Sequence, residues 1–403
     1  MRRALVVAVT VLGFVAGALG TLAMRGSVLP PTDPAVPLLA AISTGTEEPT
    51  TFLAWIPRGV PGGFARDVRA LPETGRVIVV SEEIVWLTRS WNTAGELVDR
   101  PPPPFRIPID AAAVDPGGFA QFLPPPDRAI MAAVANGEAI LGSTSARLRG
   151  LGPGAVLDVG GERIRIAAVL PDERVGAAEL MVSRRTGRRM GIHNDRYLLI
   201  RTDEAHTLTP GRLGGLLRPL LPATLGVNRV IQVRAPGDTP FFRAGDSVLP
   251  PVLVKALFGE FAARRRPGSP GELIVEPAWA RDHLITTELP VIGRVTCHRG
   301  IIDQLTTAMR ALEAEGLGHL IRSYHGCFVP RFIGSDPANM LSYHSWGIAF
   351  DLNLAGNVRG AEPRQDSRLV AALEDGGFLW GGTWIVPDGN HFEYRRMPEP
   401  SLP

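Results

Sequence analysis

Lysine is almost missing from this chain. Among 403 residues with 42 basic side chains, Lys255 is the single lysine and the rest are arginine. Forty acidic residues nearly cancel that charge, leaving a formal net of +2. A balance this small provides no electrostatic footprint for nucleic acid, so no nucleic-acid partner is expected. Cysteine is nearly missing as well, with only Cys297 and Cys327. In an exported chain an isolated pair predicts a disulfide rather than a metal site. Closing the loop between them contributes on the order of 3–4 kcal/mol in the chain-entropy model. Hydrophobic residues at 45% and charged residues at 20% exclude a disordered or collagen-like chain. The length predicts two or three domains.

Charge is also absent from Ala4 to Met24, between Met1-Arg2-Arg3 and Arg25. About twenty uncharged residues suffice to cross a bilayer as a helix, and the run is longer than the core of a usual cleaved signal. Thr21-Leu22-Ala23 only half fits a small-residue cleavage site. The expectation is a single-pass anchor over residues 1–25, with a signal peptide and a secreted product as the alternative. Arg2 and Arg3 would stay cytoplasmic and the bulk of the chain would be extracytoplasmic. Residues 26–50, rich in proline, threonine and alanine without a period, read as a linker.

Beyond the linker, Arg76–Val80 and Glu83–Leu87 predict two strands, and Pro101–Pro104 a loop or edge. Ser143–Leu148 reads as a short helix ending in a glycine-rich turn. Ala155–Val159 and Arg163–Val169 form a hairpin pattern across Gly160-Gly161. Ala177–Ser183 adds a strand, and Arg212–Val233 a helix followed by a strand. The short helix, the turn, the hairpin and the exit Val169-Leu170-Pro171-Asp172 resemble the extracytoplasmic core domain of MacB/FtsX-type permeases. The permease's own membrane helices have no counterpart, so the resemblance implies an interaction or spacer role and no transport. From Pro250 the apolar residues recur at helical spacing up to Arg264-Arg265-Arg266, read as a solvated helix end. Pro267-Gly268-Ser269-Pro270-Gly271 then reads as a boundary. The expected organisation is a MacB-like α/β domain over 51–235, a helical connector over 236–270, and a small α+β domain over 271–403. The fold class expected for the whole chain is α+β, with a transmembrane helix ahead of these parts.

The chemistry-bearing residues gather in the last part. Ile301, Ile302, Leu305, Met309 and Leu312 predict one face of a helix; Ile348–Leu354 alternates as a strand; Asp366 caps a helix; His391–Tyr394 reads as a final strand. Catalytic zinc takes three protein ligands and keeps one position open. His344 and Asp351 lie seven apart, a separation suited to a loop feeding a strand, where Ala349, Asp351 and Asn353 would share a face. An aspartate among Ile348, Phe350 and Leu352 is costly unless paired or bound to a metal. His391 supplies a third ligand, and Glu393, on the same face, an acceptor that fixes an imidazole tautomer. Asp388, three residues before His391, sits where a general base belongs. Trp346, Trp380 and Trp384 are candidate cleft walls, and His325 lies near the pocket.

The pattern Ser342-x-His344-x-x-Gly347-x-Ala349-x-Asp351, followed by His391-Phe392-Glu393, resembles the zinc D-alanyl-D-alanine carboxypeptidases of the VanY class. It is also similar to the L-alanyl-D-glutamate peptidases of phage endolysins. The resemblance covers roughly residues 271–397. It implies zinc on His344, Asp351 and His391, and Asp388 as catalytic base, with the metal on an antiparallel sheet. It also implies a basic residue for the substrate carboxylate, for which Arg331 is the candidate and Arg322 the reserve. Ser342 belongs to the motif as a supporting residue. The function implied is hydrolysis of peptidoglycan stem peptides, with no partner named for the middle domain. The alternative is a non-catalytic wall-binding or scaffold protein with a structural or degenerate zinc site.

Overall fold

The computed structural model describes residues 51–202, 208–238, 242–247 and 249–396. All of them belong to one compact unit, Ile42–Pro403. The first half supplies the strands β1 (Thr51–Trp55), β2 (Thr74–Trp91), β3 (Ile107–Val114), β4 (Ala139–Gly142) and β5 (Val156–Val159). It continues with β6 (Glu162–Leu170), β7 (Leu180–Ser183), β8 (Asp195–Thr202) and β9 (Gln232–Arg234). They form one sheet in the order β3-β7-β4-β6-β5-β2-β8-β1-β9, and β3 also pairs with β2. That extra pairing closes six strands into a ring, and β8, β1 and β9 extend it from β2. Inward side chains such as Leu87, Ile109, Leu141, Leu157, Ile166 and Val182 pack in one cluster.

The closure depends on β2. Two strands are expected over 76–87, and the structure has a single strand of 18 residues. It pairs first with β8, then with β3, then with β5, shifting register at Val80/Ser81 and Leu87/Arg89. Ser81-Glu82-Glu83 looks like a break in sequence because it is polar. Here the Ser81 hydroxyl bonds the Asp195 carboxylate at 2.5 Å and the Glu82 N–H donates to the Asn194 carbonyl, so the strand continues. The hairpin across Gly160-Gly161 forms as expected between β5 and β6.

The expected α+β class is corrected by this topology. The fold is mixed α/β around one large sheet, in which β3–β7 and β4–β6 pair parallel beside antiparallel neighbours. The helix expected over residues 4–24 lies outside the described residues. Among the described residues no helix is long and apolar enough to cross a membrane.

The helix expected to run to Arg266 ends much earlier. It spans Pro251–Phe258 and stops at Gly259, whose φ of 85° is left-handed. The three arginines instead lie on β10 (Ala263–Arg266), which turns at Pro267-Gly268 and pairs with β11 (Ser269–Val275). Next come the hairpin strands β12 (Leu284–Leu289) and β13 (Gly293–His298), then the helix Arg299–Ala314. Its buried face is Ile301, Leu305, Met309 and Leu312, as the spacing predicts. The sheet that carries the site holds β14 (Ala349–Asp351), β15 (Phe378–Trp380) and β16 (His391–Tyr394), in the order β14-β16-β15 and antiparallel throughout. The helix Ser367–Asp375 precedes β15, and the Asp366 side chain caps it by accepting from the Arg368 N–H at 2.9 Å.

The small sheets sit against the first half through several direct bonds. Asn194 donates to the Ala338 carbonyl at 2.9 Å and Arg196 to the Asn339 side chain at 3.1 Å. Trp346, fully buried, donates its indole N–H to the Gly259 carbonyl, and the Tyr343 hydroxyl donates to the Leu249 carbonyl. The motif segment 342–351 is therefore pinned from behind by the connector.

Candidate metal centre

Each residue of the motif has a local reason for its identity. Ser342 starts a tight turn over Tyr343–Ser345, and its hydroxyl accepts from the His344 N–H. Gly347 has φ 69°, and a Cβ there would stand 2.9 Å from the His298 nitrogen, which itself donates to the Gly347 carbonyl. That close approach brings the turn down into β14. Asp351 ends β14 directly opposite His391 on β16, so side chains forty residues apart become cross-strand neighbours. The alternation expected to continue to Asn353 stops here. Asn353 has φ 54°, and its side-chain oxygen accepts from the Arg322 N–H at 2.7 Å.

Three ligand atoms converge. His344 Nε2 is 3.1 Å from Asp351 Oδ1 and 3.2 Å from His391 Nδ1, which is 3.1 Å from the same Asp351 oxygen. His344, Asp351 and His391 are all buried. The remaining nitrogen of each ring faces an acceptor: His344 Nδ1–H donates to the Cys327 carbonyl at 3.0 Å, and His391 Nε2–H to Glu393 Oε2 at 3.1 Å. With those protons engaged, the converging atoms are two imidazole lone pairs and a carboxylate oxygen. Such a group repels itself unless a cation, or a proton on one ring, sits among it. Ligands 2.0–2.2 Å from one tetrahedral ion stand roughly 3.3–3.6 Å apart, a little wider than the 3.1–3.2 Å here. The donor set therefore fits zinc.

The electrostatics describe the same group without an ion. Burial pushes His344 down, keeping it neutral. Burial opposes a charged His391 too, but the hydrogen bonds its ring donates to Asp351 and Glu393 hold its pKa up at about 10, so without a cation the ring keeps a second proton, on Nδ1, where the ion would sit. Burial alone would raise Asp351, yet the two imidazoles keep its carboxyl well below the usual range. The site is short of positive charge.

The surrounding residues divide clearly. Arg331 reaches the centre: its guanidinium donates to Asp351 Oδ2 at 3.2 Å, and its backbone is fixed by the Ser345 hydroxyl. Arg322 donates its backbone N–H to the Asn353 side chain, and its guanidinium has no bond to the centre among the described residues. Asp388 stays outside the converging group, on the loop before β16. Its carboxylate is 3.2 Å from an Arg359 nitrogen and accepts from the Asn390 amide at 3.0 Å. His325 bonds Ser323 at the surface. Trp384 packs its ring 5.2 Å from that of His391, whereas Trp346 belongs to the core and walls nothing. Cys297 and Cys327 are bridged. The disulfide ties β13 to the loop whose carbonyl fixes the His344 tautomer.

Three neighbours escape sequence reasoning. Arg359 pairs with Asp388 and lies over the Trp384 ring. The Tyr324 hydroxyl is buried without a hydrogen-bond partner among the described residues, and burial and then the Asp351 charge push its pKa up. The Cys327 carbonyl acts through the backbone. None belongs to a local pattern; the disulfide was the only signal leading to any of them.

Residues 335–394 match the family model described as D-alanyl-D-alanine carboxypeptidase. That segment contains all three converging residues and Asp388. No curated protein matches the chain. Among solved structures, the chain is similar to the periplasmic region of MacB from Actinobacillus actinomycetemcomitans. The TM-score is 0.31 at 10% identity, covering 46% of this chain and 88% of that one. It is also similar to the extracellular domain of the noncanonic ABC-type transporter YknZ from Gram-positive bacteria. There the TM-score is 0.30 at 13% identity, covering 46% of this chain and 99% of the other. The C-terminal part thus resembles a peptidase family.

Proposed function

We propose that this protein is an exported zinc metallopeptidase that hydrolyses peptidoglycan stem peptides. The observation that carries the reading is the convergence of two imidazole lone pairs and one carboxylate oxygen, with the outward N–H of each ring already engaged. The match of residues 335–394 to the D-alanyl-D-alanine carboxypeptidase model supports this substrate class. The disulfide supports an oxidising, extracytoplasmic location.

His344, Asp351 and His391 would hold the ion. Zinc at such a site supplies Lewis acidity for the scissile carbonyl and lowers the pKa of water. The chain's own residues do the rest. Asp388 takes a proton from the attacking water and returns it to the leaving amine. Arg359 and Asn390 fix which way its carboxylate points. Arg331 holds Asp351 through one nitrogen and presents the remaining guanidinium edge to a substrate carboxylate or the developing oxyanion. Trp384 covers the His391 ring and limits water on that side.

The test is digestion of defined stem peptides by the full chain, with products read by mass spectrometry. Loss of terminal D-alanine identifies a carboxypeptidase, and a cut after L-alanine an endopeptidase. Asp388→Ala is expected to lower kcat by about 10²–10⁴-fold with zinc retained. Equal turnover by wild type and variant would remove Asp388 from the mechanism, and zinc binding without any product would favour a non-catalytic wall-binding role.

A further inference from the structure

One residue of the connector, Ser247, reaches the edge of the metal centre. Residues 242–247 belong to the connector and are clamped by the large sheet. Arg234, the last residue of β9, donates to the carbonyls of Arg243 and Gly245 at 2.8 Å each. Its guanidinium also lies 3.8 Å from the Asp246 carboxylate and over the Trp55 ring. Asp246 in turn accepts from the backbone N–H of Ile385. The Ile385 side chain packs on the large sheet's core, three residues before Asp388. The segment is thus fixed at both ends of the gap between the two halves. At its tip the Ser247 hydroxyl lies 3.2 Å from Glu393 Oε2.

Glu393 is 2% exposed. Its Oε2 takes the His391 Nε2–H and the Ser247 hydroxyl, while Oε1 has no hydrogen-bond partner among the described residues. A buried carboxylate with one oxygen unanchored is held in its rotamer by the donors on the other. Of those donors, His391 is the residue to be oriented, which leaves Ser247 as the side chain that does the holding.

We propose that Ser247 is a positioning residue of the metal centre: it fixes the Glu393 carboxylate so that His391 presents a bare Nδ1 to the cation. The role rests on the metal site of the proposed function and is independent of which peptide bond is cut. It makes the large-sheet half a contributor to the centre, since β9 and Arg234 deliver the serine.

The test uses the full-length chain and reads zinc affinity by competition with a chromophoric chelator, alongside kcat and KM on a stem peptide. Outer partners of a metal-bound histidine typically contribute 10–100-fold to affinity, so Ser247→Ala is expected to weaken zinc binding by about tenfold. At saturating zinc its KM is expected to stay at the wild-type value. Ser247→Thr keeps the hydroxyl and is expected to restore most of the affinity. Unchanged affinity in Ser247→Ala, or an equal loss in both variants, overturns the role. So does an affinity loss matched by a lower unfolding midpoint of the zinc-free variant, which marks a packing defect. A wild type that binds zinc and cleaves peptide beside an indifferent Ser247→Ala removes this role alone. A wild type that binds no zinc removes the metal reading with it.

Discussion

Where the large sheet meets the helix Pro251–Phe258, Lys255 and Arg149 bury their charges against Glu179 and Glu260. Where β14 meets β16, Asp351 and Glu393 bury theirs against two imidazoles. The first cluster is closed on itself. Lys255 Nζ lies 2.6 Å from Glu179 and 3.1 Å from Glu260, and Arg149 contacts the same two carboxylates, with Asp99 at 3.7 Å. Burial would raise Glu179, but Lys255 and Arg149 hold its carboxyl below the usual range. Two cations face two central anions, and the other groups bonded to them, among them the Pro108 carbonyl at Lys255 and the Asp110 N–H at Glu179, also belong to this protein. The second cluster has Arg331 against Asp351 Oδ2, and otherwise one nitrogen of each imidazole and one carboxylate oxygen turned toward a common point. Buried charge by itself is therefore no mark of function here. The mark is a set of donors whose protons have been sent elsewhere.

Removing one partner from a closed buried pair leaves the others unpaired, at a cost of about 3–5 kcal/mol. Glu179→Ala should lower unfolding stability by that much in a denaturant titration, while zinc affinity of the folded protein stays at the wild-type value. Zinc affinity falling in step with stability would break the distinction between a structural and a functional cluster.

A smaller effect is expected at His298, which caps the helix Arg299–Ala314. Its Nε2–H donates to the Phe258 carbonyl and its Nδ1 accepts from the Gly300 N–H, an arrangement only the neutral ring can make. Burial lowers its pKa from 6.5 to about 4. The unfolded chain takes up the proton below pH 6.5, whereas the folded chain does so only near 4. Stability is thus intact above pH 6.5 and falls as the pH drops toward 4, by about 3 kcal/mol in total. His298→Asn keeps a capping side chain and should remove this contribution, measured as the difference in unfolding free energy between pH 7 and pH 4. An unchanged pH slope in the variant would place the acid sensitivity elsewhere, the metal centre included.

The convergence of His344, Asp351 and His391 was legible because most of its motif is local and each position is used nearby. Ser342 starts the turn, Gly347 permits the close approach to β13, and Asp351 ends the strand opposite His391. The helix Arg299–Ala314 was legible for the same reason, since its apolar period faces one core. Features that depend on distant partners were not. β2 looks broken at Ser81–Glu83 because the groups that satisfy those side chains lie more than a hundred residues away. Arg264–Arg266 look like a helix end because the apolar period runs on past Gly259, while the pairing with β11 has no signature upstream. The parallel pairings of β3 with β7 and β4 with β6 arise from ring closure, which no single segment encodes. Arg359 and Ser247 reach the centre from a loop and a connector whose sequences carry no pattern at all.

The most direct measurement is metal content of the full chain after exposure to zinc and dialysis, with Asp351→Asn prepared in parallel. The wild type should retain a single zinc ion per chain and the variant none, because the amide replaces the one anionic donor between the two imidazoles. Equal zinc in both proteins, or none in the wild type, would contradict a cation held by His344, Asp351 and His391.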